Sequence, residues 1–214
     1  MGFDTILFDL DGTLTDSAPG ITRSAAYALR QLGIEAEPET LLGFIGPPLD
    51  ESFQSFYGFD AAQAQEAIRQ YRVYYTDRGW AENAVYEGIE PLLRELKAKG
   101  KALLVATSKP EVFAVKILEH FHLAHYFDGI YGAPLSDSEQ SGGRKAVVIG
   151  RALADSAVRG RAVMVGDRRH DVAGAHEAGI PVIGVLYGYG SREELEAAGA
   201  EFVAADTAEL LAML

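Results

Sequence analysis

The chain has 214 residues, of which 48% are hydrophobic, so it is long enough for one large domain or for a core with a smaller inserted domain. Its formal net charge of −12 argues against nucleic acid and anionic membrane surfaces as partners, because both would repel it. The absence of cysteine excludes disulfides, a thiolate nucleophile and a zinc–thiolate site. Because there is no basic leader and no apolar run of membrane-spanning length, we expect a cytoplasmic protein.

The first predicted element is a short strand over residues 5–9 that ends in two carboxylates. Asp9 and Asp11 stand one residue apart in the sequence FDLDGTLTD. If the extended conformation persists, both side chains point to the same side, at the end of the strand where open α/β sheets bind ligands. Two like charges this close need a cation, a shared proton or solvent. The alternative is a pair of solvated aspartates at an Asp-Gly turn.

Residues 16–85 carry helix-like patterns and no convincing strand. The helix-like stretches are 24–34, 38–46 and 60–79. This pattern predicts an all-helical domain inserted after the first strand, with hinges at the chain crossings near 15–18 and 84–88. A loop with a stiff Gly-Pro-Pro run is expected within it at 43–53.

From residue 86 onward, short apolar runs alternate with helical patterns. The predicted strands are 102–107, 127–132, 162–167 and 181–187, and the predicted helices are 88–100, 110–121, 143–154 and 171–179. Apolar strands that alternate with helices indicate a parallel sheet covered on both faces. Residues 1–15 and 86–214 are therefore expected to form an α/β core. Near the C-terminus, Ser191 and Glu194 are spaced as a capping box.

Further chemistry-bearing side chains follow other predicted strands. Asp167 ends one strand, and Asp171 follows four residues later, one helical turn on. Carboxylates without a His or Cys partner favour a hard octahedral cation, Mg²⁺. Thr107 and Ser108 end another strand and offer hydroxyl donors to an anion, although such residues are also common caps.

A lysine completes this set of candidate residues. Lys145 opens a predicted helix and, if it lies near a carboxylate nucleophile, can hold both that carboxylate and a phosphate. The alternative is a solvated helix residue.

The order DLDGTL, TS, Lys and GDRRHD resembles the haloacid dehalogenase superfamily, specifically the phosphatase branch that includes phosphoglycolate phosphatase. The resemblance covers essentially the whole chain. It implies a Rossmann-like core with a parallel sheet, and an inserted α-helical cap over residues 16–85 that closes over the active site and selects the leaving group.

The resemblance also implies a role for each motif residue. Asp9 would be the nucleophile that forms an aspartyl-phosphate, and Asp11 the general acid and base. Thr107 would bind the transferring phosphoryl group, and Lys145 would neutralise it together with Asp9. Backbone amides of Ser108 and of the turn at Gly12 would complete the phosphate site.

The same resemblance implies a magnesium site. Mg²⁺ would be held by Asp9, by the main-chain carbonyl of Asp11 and by Asp167. Asp171 would either ligate the ion or orient water.

The favoured function is therefore a Mg²⁺-dependent phosphomonoesterase that acts on a small metabolite, either a phosphoglycolate-like acid or a nucleoside 5′-monophosphate. A dehalogenase is disfavoured because such members lack the second aspartate, here Asp11. A mutase is disfavoured because the region of Gly46–Pro48 lacks the basic residues that the glucose-phosphate mutases of the superfamily carry. A phosphotransferase, a pyrophosphatase and a non-catalytic binding protein on the same fold stay open, as does a monomer or a homodimer.

Several residues of the helical region have two interpretations. The aromatic residues are either a surface for a nucleobase or core packing: Phe44, Phe53, Phe56, Tyr57 and Tyr71. Arg23 and Arg72 either bind a second anionic group of the substrate or are solvated. Outside this region, the stretch GYGS at 188–191 lacks the spacing of a dinucleotide-binding loop.

Overall fold

The computed structural model describes residues 2–135, 145–155 and 157–214. Its strands, in chain order, are β1 (Thr5–Phe8), β2 (Thr15–Asp16), β3 (Ala84–Val85), β4 (Ala102–Pro110), β5 (Gly129–Ala133), β6 (Ala162–Gly166), β7 (Val182–Val185) and β8 (Phe202–Ala204). Its α-helices are α1 (Ala18–Gln31), α2 (Leu49–Tyr57), α3 (Ala61–Asp77), α4 (Ile89–Ala98), α5 (Glu111–His120), α6 (Lys145–Leu153), α7 (Arg169–Glu177), α8 (Arg192–Ala198) and α9 (Thr207–Met213). Short 3₁₀ turns cover Pro38–Thr40, Leu42–Phe44, Gly79–Ala81 and Ala124–Tyr126.

Six strands form one parallel sheet in the order β5-β4-β1-β6-β7-β8. The central strand β1 pairs with β4 and β6, and its four residues are buried. Its side chains alternate between two apolar clusters: Ile6 and Phe8 pack with residues of α4, α5 and α9, and Leu7 with residues of α6, α7 and α8. Helices therefore cover both faces of the sheet, which confirms the predicted α/β class with a parallel sheet.

Between β2 and β3 the chain is helical, and we call residues 17–83 the helical segment. α1 packs against α3, and α2 packs against α3 as well. Buried side chains of these elements form an apolar cluster separate from the two clusters of the sheet, including Leu29, Phe53 and Ile68. Because β2 and β3 pair antiparallel, the chain enters and leaves the helical segment side by side.

The structure corrects several predicted element boundaries. Residues 38–46, expected to be helix-like, form only two 3₁₀ turns, and the expected loop 43–53 contains the first half of α2. The helix predicted at 24–34 begins at Ala18, because Pro19 in its first turn does not interrupt a helical hydrogen bond. Within the described residues, no helix combines the length and apolar character needed to cross a bilayer.

The predicted capping box of α8 is only half formed. The Ser191 hydroxyl accepts a hydrogen bond from the Glu194 N–H at 3.2 Å, as expected. The Glu194 carboxylate does not return this bond, because it accepts hydrogen bonds from Arg168 Nε and from the Arg169 N–H, both at 2.9 Å. A charge-assisted bond to a guanidinium is stronger than a bond to the N-cap amide.

Candidate active site

The site forms where three neighbouring strands of the sheet end. Phe8, the last residue of β1, lies in register with Val105 of β4 and Val165 of β6. The residues that follow each strand therefore meet at one edge, where open α/β sheets bind ligands. This register brings Asp9 and Thr107 to the same edge of the sheet.

Lys145, the first residue of α6, connects two of the predicted carboxylates. Its ammonium lies 2.8 Å from Asp9 Oδ1 and 2.7 Å from Asp171 Oδ1, and it also donates to the carbonyl of Ala106 at 3.1 Å. Only 5% of its side chain is exposed. Burial lowers the pKa of Lys145, but the attraction of Asp171 and Asp9 outweighs burial and raises that pKa above its usual value. The lysine is therefore a fixed positive charge.

Asp9 and Asp167, the aspartates that directly follow β1 and β6, both have raised pKa values. Burial raises the pKa of Asp9, Lys145 lowers it and Asp171 raises it, and the net shift is upward. Burial, Asp171 and Asp9 together raise the pKa of Asp167 well above its usual value. Both shifts reflect carboxylates that are buried close together and lack enough positive charge.

Asp167 is enclosed by two loops. Its Oδ1 accepts a hydrogen bond from the Thr13 hydroxyl at 3.2 Å, and its Oδ2 accepts one from the Tyr189 N–H at 2.8 Å. Gly12 and Gly188 face the same carboxylate so closely that a Cβ on either residue would overlap it. The stretch GYGS therefore encloses a carboxylate of the candidate site. The sequence showed only that this stretch lacks the spacing of a dinucleotide-binding loop.

Three of the predicted carboxylates converge on one point. A carboxylate oxygen of each of Asp9, Asp167 and Asp171 lies within 4.8 Å of the other two. The donor set fits Mg²⁺, because it consists of carboxylates without His or Cys, two of them buried and Asp9 half-buried, and their excess negative charge needs a cation. The Asp171 carboxylate is also fixed by the Arg168 N–H, which donates to its Oδ2 at 3.0 Å.

The Asp11 side chain lies outside this cluster. Its carboxylate is bound by Lys109, with Nζ at 3.0 Å from Oδ1 and 2.7 Å from Oδ2. Lys109 is 8% exposed, and its ammonium also lies over the ring of Tyr75 at 5.0 Å. Sequence reasoning missed this lysine, although its position directly after Thr107 and Ser108 was the available signal.

A cavity of about 540 Å³ opens between these residues and the helical segment. Asp9, Asp11, Thr107, Ser108 and Lys145 line one side of it. The opposite side is mostly apolar and includes Ile45, Pro47, Pro48, Leu49 and Tyr75. The cavity lies in the size range of small-molecule sites, roughly 300–1,000 Å³.

The aromatic residues of the helical segment separate into two groups. Phe44 and Tyr71 line the cavity, although both are nearly buried. Phe53 is fully buried in the apolar cluster, and Phe56 is 56% exposed away from the cavity lining. Core packing therefore describes Phe53, whereas the interpretation as a nucleobase surface stays a prediction for Phe44 and Tyr71 and does not fit Phe56.

The two arginines of this segment also differ in position. Arg72 lines the cavity and donates to the Leu135 carbonyl at 3.0 Å. Arg23 lies 3.4 Å from Glu82 and outside the cavity lining.

The geometry agrees with what comparison of the sequence finds. The model of the haloacid dehalogenase-like hydrolase family matches residues 6–185, which span the site from β1 to β7. The chain belongs to the haloacid dehalogenase-like hydrolase family. This membership confirms the family predicted from the sequence motifs.

Relatives of this hydrolase carry two kinds of name. A Pseudomonas aeruginosa protein named 5′-nucleotidase is 46% identical over 99% of this chain and 96% of its own. A Mycobacterium tuberculosis protein named tyrosine-protein kinase PtkA is 43% identical over 89% of this chain and 65% of its own. A crystal structure described as a predicted phosphatase from Clostridium acetobutylicum superposes with a TM-score of 0.92 at 48% identity, over 99% of this chain and 97% of that one. The predicted phosphatase class agrees with the first and third of these names.

Proposed function

We propose that this hydrolase is a Mg²⁺-dependent phosphomonoesterase that works through an aspartyl-phosphate intermediate. The observation that carries the proposal is Asp9, a half-buried carboxylate paired with Lys145 at 2.8 Å beside the hydroxyl of Thr107. Phosphoryl transfer needs an in-line nucleophile and neutralisation of charge more than elaborate acid–base chemistry. Asp9 supplies the nucleophile, and Lys145 supplies fixed positive charge.

In the first step an Asp9 carboxylate oxygen forms a bond to phosphorus while the bond from phosphorus to the leaving oxygen breaks. Asp11 gives a proton to that leaving oxygen. The phosphoryl oxygens are bound by Thr107, by Lys145 and by the backbone amide of Ser108. The Gly12 amide, which the sequence also suggested for this role, donates instead to the Thr15 carbonyl at 2.8 Å. Covalent catalysis of this kind replaces one difficult hydrolysis with two easier transfers.

In the second step water attacks the phosphorus of the aspartyl-phosphate. Asp11 takes a proton from this water, and the bond between phosphorus and Asp9 breaks to release inorganic phosphate. The ion pair with Lys109 supports this role, because it holds the Asp11 carboxylate at the cavity.

Mg²⁺, when bound, neutralises charge on the phosphoryl oxygens. We propose Asp9, the main-chain carbonyl of Asp11 and Asp167 as its ligands, with Asp171 ligating the ion or orienting water. Convergence of the three carboxylates within 4.8 Å supports this assignment.

We further propose that residues 1–15 and 86–214 are the catalytic core and that residues 16–85 are a cap. The separate apolar cluster of the helical segment and the paired crossing strands β2 and β3 support this division.

The net charge of −12 and the absence of cysteine support a cytoplasmic enzyme that binds neither nucleic acid nor membranes. It would act as a monomer or a homodimer on a small phosphate ester.

A second candidate is transfer of the phosphoryl group from Asp9 to an acceptor hydroxyl other than water. The likeness to the relative named tyrosine-protein kinase favours it, although this chain spans only 65% of that relative. The same residues would act in the first step of both reactions.

Release of inorganic phosphate tests the proposal. Purified protein would be incubated with Mg²⁺ or with EDTA and with phosphoglycolate, nucleoside 5′-monophosphates, sugar phosphates, pyrophosphate and p-nitrophenyl phosphate. We expect turnover of a phosphomonoester with Mg²⁺ and none with EDTA. Equal turnover with EDTA would overturn the metal dependence, and transfer to an added hydroxyl compound without phosphate release would favour the second candidate.

A further inference from the structure

Three polar side-chain atoms at the cavity are buried with neither a hydrogen-bond nor an ion-pair partner among the described residues. They are Oδ1 of Asp50, in the first turn of α2, the hydroxyl of Tyr75 in α3, and Nε2 of His170, in the first turn of α7. All three residues line the cavity. Because a buried polar group that lacks a partner costs stability, such atoms in a binding cavity are candidates for contacts with a ligand.

The position of Asp50 in α2 explains why an acidic residue occurs there, but it does not explain why Oδ1 lacks a hydrogen-bond donor. A carboxylate in the first turn of a helix interacts favourably with the helix dipole, and Glu51 stands beside it in the same turn. The dipole does not supply a hydrogen bond to Oδ1, and the adjacent residues Pro48 and Leu49 are apolar. The atom is therefore an acceptor that lacks a donor.

His170 lies across the cavity from this turn. Arg168, which directly precedes α7, donates to the Ile45 carbonyl of the loop before α2 at 2.6 Å, so the starts of α2 and α7 lie at the same cavity. The unpaired atoms of Asp50 and His170 thus belong to two different walls of that cavity, one on the helical segment and one on the sheet domain.

The charge of this part of the cavity discriminates between classes of leaving group. Asp50 and Glu51 both carry negative charge into the lining. The cations of the sheet domain in the same lining are already engaged, Arg168 by Glu194 and the Ile45 carbonyl and Lys109 by Asp11, so a substrate with a second anionic group is disfavoured there. Arg72, the cation of the helical segment in the described lining, already donates to the Leu135 carbonyl. The lining accommodates an uncharged leaving group that donates hydrogen bonds.

We propose that Asp50 and His170 form the leaving-group subsite and that they select a nucleoside, with Asp50 accepting a hydrogen bond from a sugar hydroxyl or a base amino group. The apolar lining at Ile45, Pro47 and Tyr71 suits the faces of a nucleobase, and the volume of about 540 Å³ exceeds the needs of a two-carbon acid. This inference rests on the proposed phosphomonoesterase function, and it makes the phosphoglycolate-like acid the disfavoured substrate.

The test compares leaving groups of different chemistry in the wild type and in two variants. Asp50→Asn keeps the shape and removes the charge, and Asp50→Ala removes the acceptor. Glu39→Gln is the matched control, because it removes one exposed carboxylate of the helical segment that lies outside the cavity lining. The substrates are adenosine and cytidine 5′-monophosphates, their 2′,3′-dideoxy forms, ribose 5-phosphate, phosphoglycolate and p-nitrophenyl phosphate.

We expect the wild type to prefer the nucleoside monophosphates. Asp50→Ala should lower kcat/KM for them by roughly tenfold or more, as for loss of a hydrogen bond to a charged group. The same variant should change p-nitrophenyl phosphate less than threefold, because that leaving group donates no hydrogen bond. Asp50→Asn should act in the same direction, and it should leave turnover of phosphoglycolate unchanged or faster.

Other outcomes would overturn the inference. One is a wild-type preference for phosphoglycolate. Another is a wild-type preference for ribose 5-phosphate that Asp50→Ala removes while nucleotide turnover is unchanged. The third is an equal effect of Asp50→Ala on every substrate. Loss of the effect with the dideoxy forms assigns the contact to a sugar hydroxyl, and its persistence assigns it to the base.

Calorimetric binding of adenosine 5′-monophosphate in EDTA separates this inference from the proposed function. Binding that Asp50→Ala weakens, in a protein that releases no phosphate with Mg²⁺, would support the subsite and overturn the phosphatase. Release of phosphate from p-nitrophenyl phosphate, with no nucleotide binding or turnover, would overturn the subsite alone.

Discussion

The Asp167 carboxylate shows how single residues build this site. It is fully buried, its two oxygens accept hydrogen bonds from Thr13 and Tyr189, and glycines face it from two loops. The glycines are required because the backbone of each loop passes where a side chain would stand. Gly12 has a further requirement, since its φ of +81° lies in the left-handed region that favours glycine.

Gly12→Ala should therefore lower activity by more than backbone strain at residue 12 alone would. Its Cβ would overlap the Asp167 carboxylate, so we expect kcat/KM for a phosphomonoester to fall by more than about tenfold, with a loss of ~1 kcal/mol or more in the free energy of unfolding. Gly33→Ala is the matched control, because Gly33 has a φ of +80° and no atom within 4 Å of the added Cβ. Equal activity of the two variants would contradict this account of Gly12.

The sequence predicted the residues whose chemistry is evident from their type and position. Carboxylates at strand ends, such as Asp9 and Asp167, stand out because such charges are costly next to buried strands. Lys109 did not stand out, because its partner Asp11 lies 98 residues away in the chain and only the pairing of β1 with β4 brings them together. Tyr189 acts on Asp167 through its backbone N–H, which no side-chain pattern reveals.

At the scale of elements, Arg168 connects three parts of the molecule. It lies between β6 and α7, and its Nε donates to Glu194 of α8 at 2.9 Å. Its Nη1 donates to the Ile45 carbonyl of the helical segment at 2.6 Å. The loop that carries Asp167 is thus joined to the loop before α2 that lines the cavity.

Arg168→Ala should weaken substrate binding more than chemistry. Without the bond to the Ile45 carbonyl, the loop before α2 loses a charge-assisted contact, and KM should rise by about tenfold while kcat changes less than threefold. Steady-state kinetics on one phosphomonoester would measure both constants. Arg192→Ala is the control, because the Arg192 side chain forms an exposed ion pair with Glu196 of the same helix at 3.3 Å. A fall in kcat with unchanged KM would count against this role of Arg168.

Elements with strong periodicity were predicted, and those fixed by tertiary contacts were not. Five strands of the six-stranded sheet follow from buried apolar runs, and α3 follows from a long helical pattern with a capping box between Asp60 and Gln63. Residues 38–46 have helical composition but form 3₁₀ turns, since the chain must pack Leu41 and Phe44 into the apolar cluster over a short distance. β8 and α9 are only three and seven residues long, which is too short for a periodic signal.

At the scale of the whole molecule, the site carries unbalanced charge. The described cluster contains three carboxylates, from Asp9, Asp167 and Asp171, and one ammonium, from Lys145, so three minus one leaves two negative charges. The raised pKa of Asp167 reflects this excess. A divalent cation would compensate it.

Mg²⁺ should therefore stabilise the whole fold. A ligand at a concentration about 100 times its dissociation constant adds about 2.7 kcal/mol to the free energy of unfolding. For a domain of this size, that increase raises Tm by roughly 5–10 °C. Thermal unfolding with Mg²⁺ and with EDTA would measure the shift, and Asp167→Asn should remove most of it. A shift of the same size in that variant would contradict the assignment of Asp167 as a ligand.

The most direct test of the central claim is phosphate release by Asp9→Asn beside the wild type. Asparagine keeps the shape of the side chain but cannot form the aspartyl-phosphate, so turnover with Mg²⁺ should fall by roughly 10³-fold or more. Circular dichroism and thermal unfolding of both proteins would establish that the variant is folded. Full phosphatase activity in a folded Asp9→Asn protein would contradict the assignment of Asp9 as the nucleophile.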